Sequence, residues 1–448
     1  MSAYSVKGTL SILFIFASGC ALAQDPEIES LRTAIDGLRA DYETRIAELE
    51  RRLAVAEQNA QQANYAAQQN NAPQAPVAAS TANSAFNPAI GVIFQGQAWH
   101  YGENPDDYAI PGFPLGGEAG PIQEGFAIGE TELNFSANVD DKFTAWLTTP
   151  LVIEGGEARI EIEEAWVETT ALPGGLATRF GRFFSAVGYL NDKHAHSWDF
   201  VDQPLPYQAF LGDQYLDDGV QLNFIAPAAL YMEFGAEVLQ GNRYPAAGSD
   251  HSGSGAWSLF ANVGGDAGAS NSWLAGVSYL AASAIDRPSG AEDDPYVFNG
   301  DSDLGGAHFV WKWAPNGNWK QQNLTLQTEF FWRNESGQYT GPALPAAAYD
   351  NDQRGWYLQA VYQPVPRWRL GGRVDGLSSG DPGPAFGGTL LAAPGSDPMR
   401  YTLMADWSNS EFSRLRLQFT RDEAGFENDN QWGLQYTHSI GAHGAHEF

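Results

Sequence analysis

Apolar and polar residues alternate with a period of two through most of the chain after Asn87. In segments 324–332 and 415–419, leucines and aromatic residues take nearly every second position, with Thr, Gln, Glu or Arg between them. Segments 133–139 and 368–374 follow the same rule, with glycines interrupting the second. Successive side chains of a strand point to opposite faces, so each segment predicts a β-strand with one apolar and one polar face. This part of the chain is therefore predicted to be all-β.

The connections between these strands sort by length. We predict about sixteen strands, with the ranges 88–101, 125–137, 141–153, 157–171, 176–186, 217–225, 229–241, 256–265, 270–282, 304–313, 322–335, 353–364, 366–375, 398–408, 411–421 and 430–448. Every second connection is short, whereas those of opposite parity are mostly long, including 102–124, 187–216, 283–303 and 376–397. Short turns on one side and long loops on the other are typical of outer-membrane barrels. The sequence thus predicts a transmembrane antiparallel β-barrel over residues 88–448, wide enough to hold an aqueous channel.

The N-terminus predicts export. Residues 1–23 combine Lys7, an apolar run over 10–17 and a small-residue site at 21–23, as a secretory signal peptide does. Alternatively, Cys20 is the lipidated first residue of a lipoprotein. Beyond this segment the sequence contains no stretch of about 18 apolar residues, so no transmembrane helix is predicted. The net charge of −30 makes nucleic acid a poor partner.

Two further segments precede the barrel. Residues 24–60 contain apolar residues at steps of three and four, from Ile28 to Ala56, which predicts an α-helical coiled coil in the periplasm. A solvated single helix is the alternative. Residues 61–87 are rich in Gln, Asn, Ala and Pro and predict a flexible linker.

The loop 187–216 is the predicted pore constriction. It is long and rich in aromatic residues, so we expect it to fold into the lumen and face a basic wall across a water-filled gap, with an acidic wall elsewhere. The alternative is that these residues only solvate the lumen. The candidate loop residues are Lys193, His194, His196, Asp199, Asp202 and Asp213. The candidate wall residues are Arg367, Arg369, Arg373, Arg414 and Arg416 on the basic side, and Glu130, Glu132, Glu161 and Glu163 on the acidic side.

The His-Ala-His sequence in this loop is the candidate metal site. His194 and His196 share a face of an extended segment, and Asp199 or Asp202 could complete a set of ligands suited to zinc. The alternative is structural, with the histidines hydrogen-bonding the loop to the wall. No cofactor is expected, with zinc at these histidines as the alternative.

Catalytic motifs do not occur in the sequence. It contains no glycine-rich phosphate loop, no G-x-S-x-G and no H-E-x-x-H. We therefore expect that the protein is not an enzyme.

The segments 112–143, 181–215 and 439–448 resemble a family of Gram-negative outer-membrane proteins with an N-terminal coiled coil and a porin-type barrel. The chain is similar, more distantly, to the phosphate-selective porin superfamily, whose members are sixteen-stranded trimers. Relatives are often labelled TonB-dependent or zinc-regulated receptors. No segment before the first predicted strand has the size of the plug domain of TonB-dependent transporters.

These observations together predict an outer-membrane porin for passive diffusion of small hydrophilic solutes or ions. The alternatives are an uptake receptor for a metal such as zinc and an envelope tether through the coiled coil. The expected partners are the lipid bilayer and lipopolysaccharide, two further copies in a homotrimer, the barrel assembly machinery and, for the tether, peptidoglycan.

The C-terminal sequence GAHGAHEF contains His443 and His446. Two residues three apart on a strand face opposite ways, so a metal clip requires a bulge there. Phe448 instead resembles the terminal aromatic signal by which outer-membrane barrels are recognised for assembly, and removing it is expected to impair insertion.

Overall fold

The computed structural model of the chain describes residues 88–154, 157–246, 253–291, 293–342 and 344–441. The predicted signal peptide, coiled coil and linker, and also His443, His446 and Phe448, lie outside these ranges. None of the helices in the described ranges is long and apolar enough to cross a membrane.

The described residues form one antiparallel sheet of eighteen strands. The strands are β1 (Ala89–His100), β2 (Gly125–Ile128), β3 (Thr131–Asn138), β4 (Phe143–Glu154), β5 (Glu157–Ile160), β6 (Glu164–Thr169), β7 (Leu176–Phe184), β8 (Leu216–Ile225), β9 (Tyr231–Leu239), β10 (Ala256–Asp266), β11 (Asn271–Ser289), β12 (Tyr296–Trp313), β13 (Asn323–Gly341), β14 (Leu344–Val365), β15 (Trp368–Ser379), β16 (Met399–Ser410), β17 (Ser413–Asp422) and β18 (Asp429–Gly441). The helices are α1 (Leu205–Leu211) and short 3-10 turns at Pro105–Asp107, Pro173–Gly175, Ala195–Ser197, Pro315–Gly317 and Pro384–Phe386.

The sheet closes on itself. β1 pairs with β18 from Gly91↔Gly441 to His100↔Trp432, and β9 pairs with β10. β2 and β3 both pair with β1, and β5 and β6 both pair with β4. β2 with β3, and β5 with β6, therefore each form one interrupted strand of the barrel wall, and we call each full strand of the wall a stave. The described residues therefore form a closed barrel of sixteen antiparallel staves, as the sequence predicted. One end, which we call the turn end, carries short connections, and the other, the loop end, carries the long connections together with short ones such as those that follow β11 and β13.

Alternation along the strands decides which side chains face out. On β13 and β17, Phe330 and Leu417 are exposed on the exterior, whereas their neighbours Glu329 and Gln418 are buried inside. Trp368 and Trp407 lie opposite each other near the turn end. The barrel thus has an apolar exterior and a polar interior, which confirms the predicted orientation of these segments.

Strands β11 to β14 are longer than predicted, so the expected long loop 283–303 is wrong. β11 and β12 run to Ser289 and Tyr296, and β13 and β14 are likewise extended. In these extensions aromatic residues pack inward while acids such as Asp301 and Asp352 are exposed, the reverse of the pattern nearer the turn end. An exterior that carries acids no longer shows the apolar alternation by which the other strands were recognised.

Candidate functional site in the barrel lumen

Residues 185–215, which we call the lumen loop, connect β7 to β8 and fold inside the barrel. The backbone N–H of Ala186 donates to Glu237 of β9 at 2.9 Å, and that of Tyr189 donates to Glu329 of β13 at 2.8 Å. Arg414 of β17 donates to the carbonyl of His196 at 2.9 Å. These strands lie far apart around the sheet, so the loop crosses the lumen.

Local sequence explains the shape of the loop. Pro206 suits the first turn of α1 because the missing N–H of proline has no helical partner there. Gly212 ends the helix in a left-handed conformation, with φ 66°, and a Cβ at this position would lie 2.8 Å from the carbonyl oxygen of Gly116. All seven residues of α1 are buried.

Glu329 anchors the loop to the wall of the barrel. Its carboxylate accepts hydrogen bonds from the hydroxyls of Tyr207, at 2.8 Å, and Tyr357, at 2.5 Å, besides the Tyr189 backbone. The Tyr207 hydroxyl in turn accepts from the backbone N–H of Leu190 at 2.8 Å. The sequence analysis missed Glu329 as a site residue, although its inward position was readable from the alternation of β13.

Asp202 joins the loop to the basic wall. Its carboxylate lies 2.9 Å from Arg373 and 3.1 Å from Arg400, and it accepts a hydrogen bond from Gln418 at 2.7 Å. Burial raises the pKa of Asp202, but the two guanidinium groups outweigh burial and hold the pKa below its usual value. Arg400 is the first inward-facing residue of β16, and it was not among the candidates predicted from the sequence.

A second set of ion pairs lies nearer the turn end. Asp199 of the loop is 2.8 Å from Arg369, and Arg369 also contacts Asp406 of β16. Asp406 lies 3.0 Å from Arg416, whose guanidinium also donates to the carbonyl of Trp198 at 2.9 Å. Asp199 and Asp202 therefore contact the arginines directly.

The predicted arrangement of the basic wall is wrong in two respects. No water gap separates Asp199 and Asp202 from Arg369 and Arg373, because the loop packs against this wall. Arg367 is exposed in the turn between β14 and β15, with φ 74°, rather than on the inward face. Arg367 is one of the two residues of this turn, so the alternation along β15, which begins at Trp368, does not extend to it.

The two histidines contact the acidic wall. His194 Nε2 is 3.0 Å from Glu164, and His194 Nδ1 is 3.2 Å from Glu163 and 3.5 Å from Glu132. His196 Nδ1 is 2.6 Å from the other oxygen of Glu132. The loop thus contacts acidic and basic walls within one short stretch of chain.

The predicted metal set is wrong in its carboxylates. Asp199 and Asp202 pair with arginines, so they do not complete a set with His194 and His196. The carboxylates beside His194 are instead those of Glu132 and Glu163 in the wall. These side chains come together only when the barrel is folded.

The remaining candidates lie near these contacts. Lys193 is 3.3 Å from Asp192 and lies over the ring of Tyr189. Burial, with Glu118 and Asp202 adding to it, raises the pKa of Asp213 to about 7. Glu161 is exposed. The described lumen therefore holds a packed, charge-paired loop.

Comparison with known proteins identifies one informative relative. No family model matches the chain. An uncharacterized protein of Aquifex aeolicus (strain VF5) is 30% identical over 353 residues, which cover 74% of this chain and 72% of the relative.

Solved barrels are similar only in part. The outer membrane channel DcaP of Acinetobacter baumannii matches with TM-score 0.49 and 14% identity, over 79% of this chain and 97% of that chain. The anion-selective porin from Comamonas acidovorans matches with TM-score 0.48 and 10% identity, over 79% and 99% of the two chains. At these TM-scores the likenesses carry no weight for function. On the sequence comparison, the chain belongs to the family of the Aquifex aeolicus protein.

Proposed function

We propose that the chain is an outer-membrane porin, a water-filled channel through which small hydrophilic solutes or ions diffuse, narrowed by the lumen loop. The observation that carries the proposal is a closed barrel with an apolar exterior, a polar interior and a loop packed across its lumen. A barrel of sixteen staves is wide enough for an aqueous path beside such a loop. The charge pairs on both walls would act on any ion that passes.

Liposome swelling tests this function. Liposomes that contain the purified chain are expected to swell in small sugars, at rates that fall steeply as the sugar grows, because the loop narrows the path. Liposomes that contain heat-denatured protein serve as the control. If intact protein, inserted with a folded barrel, gave no swelling with any solute, the proposal would be wrong.

Location in a membrane predicts a penalty for charge on the exterior. Leu403 of β16 is 62% exposed on the outer face. Leu403→Arg is expected to cost about 2–4 kcal/mol of folding free energy in a bilayer, because arginine at the bilayer centre is poorly solvated. Folding into lipid vesicles at increasing urea concentration measures the change. Leu403→Met is the matched control and should cost little; equal stability of the two variants would contradict the assignment of this face to lipid.

The homotrimer, the barrel assembly machinery, lipopolysaccharide and peptidoglycan belong to this proposal as partners. The support for a trimer is the heptad pattern of residues 24–60, whose narrow apolar stripe favours self-association. The tether through this segment and the assembly role of Phe448 rest on residues outside the described ranges.

A further inference from the structure

Three side chains of types that bind metal ions lie together where the lumen loop meets the acidic wall. Glu132 belongs to β3, Glu163 lies between β5 and β6, and His194 belongs to the loop. One atom of each lies within 4.8 Å of the others. A tetrahedral ion with bonds of about 2.0–2.2 Å has its ligand atoms about 3.3–3.6 Å apart. The distances from His194 Nδ1, 3.2 Å to Glu163 and 3.5 Å to Glu132, fall near this spacing.

The surroundings orient the ligand atoms. Glu164 lies 3.0 Å from Nε2 of His194, and in the neutral imidazole with its hydrogen on Nε2 the lone pair of Nδ1 is directed at Glu132 and Glu163. His196 holds the second oxygen of Glu132 at 2.6 Å. This is the arrangement of a metal-binding imidazole supported by a carboxylate on its other nitrogen.

Without a positive centre, this arrangement is unfavourable. Nδ1 of His194 and Oε2 of Glu163 are both buried, and neither makes a hydrogen bond within the described residues. A lone pair that faces two carboxylate oxygens is repelled by both. A proton on Nδ1 would pair with one oxygen at a time, at 3.2 Å to Glu163 or 3.5 Å to Glu132, whereas a cation between the three atoms would contact all of them.

We propose that Glu132, Glu163 and His194 bind a divalent cation that ties the lumen loop to the barrel wall. One imidazole nitrogen and two carboxylate oxygens suit Zn²⁺ or a similar transition metal. Ca²⁺ and Mg²⁺ require about six or more oxygen ligands and fit poorly. The ion would hold the lumen loop against the barrel wall. This role does not depend on which solute crosses the channel.

Isothermal titration calorimetry tests the site. The full chain is purified in detergent, stripped with chelator and titrated with ZnCl₂, CaCl₂ or MgCl₂. Zn²⁺ is expected to bind at one site per chain and more tightly than the other two ions. Glu163→Gln should weaken Zn²⁺ binding at least tenfold, since it removes a ligand charge. Glu164→Gln, which leaves all three ligands in place, should weaken it about 10–100-fold.

Glu161→Gln is the matched control, with the same change of charge two residues away at an exposed position. It should bind Zn²⁺ as the wild type does. The shift of the folded barrel in unheated gel electrophoresis verifies that each variant is folded. The proposal is overturned if the wild type binds no Zn²⁺, or if folded Glu163→Gln and Glu161→Gln bind it equally. Conductance of the stripped protein, measured in parallel, reports on the channel separately.

Discussion

Replacement of the lumen loop by a short glycine-serine linker is expected to raise single-channel conductance several-fold. The loop crosses the barrel and is held by Glu237, Glu329 and the arginines of β15 to β17. Its removal would leave a path bounded by the strands alone, and the conductance of an aqueous pore grows with its cross-section. Recordings in planar bilayers give the value directly.

The control for this experiment is a shortened turn between β11 and β12, which lies at the far end of an extended hairpin. This variant should conduct as the wild type does. Unchanged conductance after loop replacement, in a barrel that still inserts, would contradict the role of the loop as the constriction.

Asp202→Ala is expected to release the loop from the basic wall. The substitution leaves Arg373 and Arg400 buried with only Asp375 and Asp422 as carboxylate partners. Loss of the partner of a buried charge costs about 3–5 kcal/mol when nothing compensates that charge, and we expect a smaller cost here because Asp375 and Asp422 still pair with the two guanidinium groups. We expect noisy, larger conductance steps and a reversal potential in a salt gradient that shifts towards anions, since two guanidinium groups lose an opposing charge.

Asp192→Asn is the matched control for this variant. It also removes one acidic charge from the loop, but its partner is the nearby Lys193 at 3.3 Å and its side chain is half exposed. We expect a small shift of reversal potential and steady conductance steps. If the two variants behaved alike, the ion pairs of Asp202 would not hold the loop in place.

Alternation and connection lengths were sufficient to predict the barrel. A lipid-facing exterior requires apolar residues at every second position, and this pattern is visible within single segments such as 415–419. The same rule placed Arg369, Arg373, Arg414 and Arg416 inside, where they lie. It failed for Arg367, which lies in a turn, and for β11 to β14, whose extensions carry acids on the exterior.

The partners inside the lumen could not be predicted from the sequence. Alternation gives the face on which a side chain lies but not what lies opposite it. Asp202 and Arg373 are 171 residues apart in the chain, and His194 meets Glu132 and Glu163 only because the loop turns back to the first staves. Closure of the barrel and the path of the loop therefore decide these contacts.

Single-channel recording of the purified wild-type chain in a planar bilayer shows whether the barrel conducts. We expect discrete, reproducible current steps in potassium chloride, of a size that corresponds to a narrowed aqueous pore. Insertion of the folded barrel without any current step would contradict the proposal that this chain is a channel.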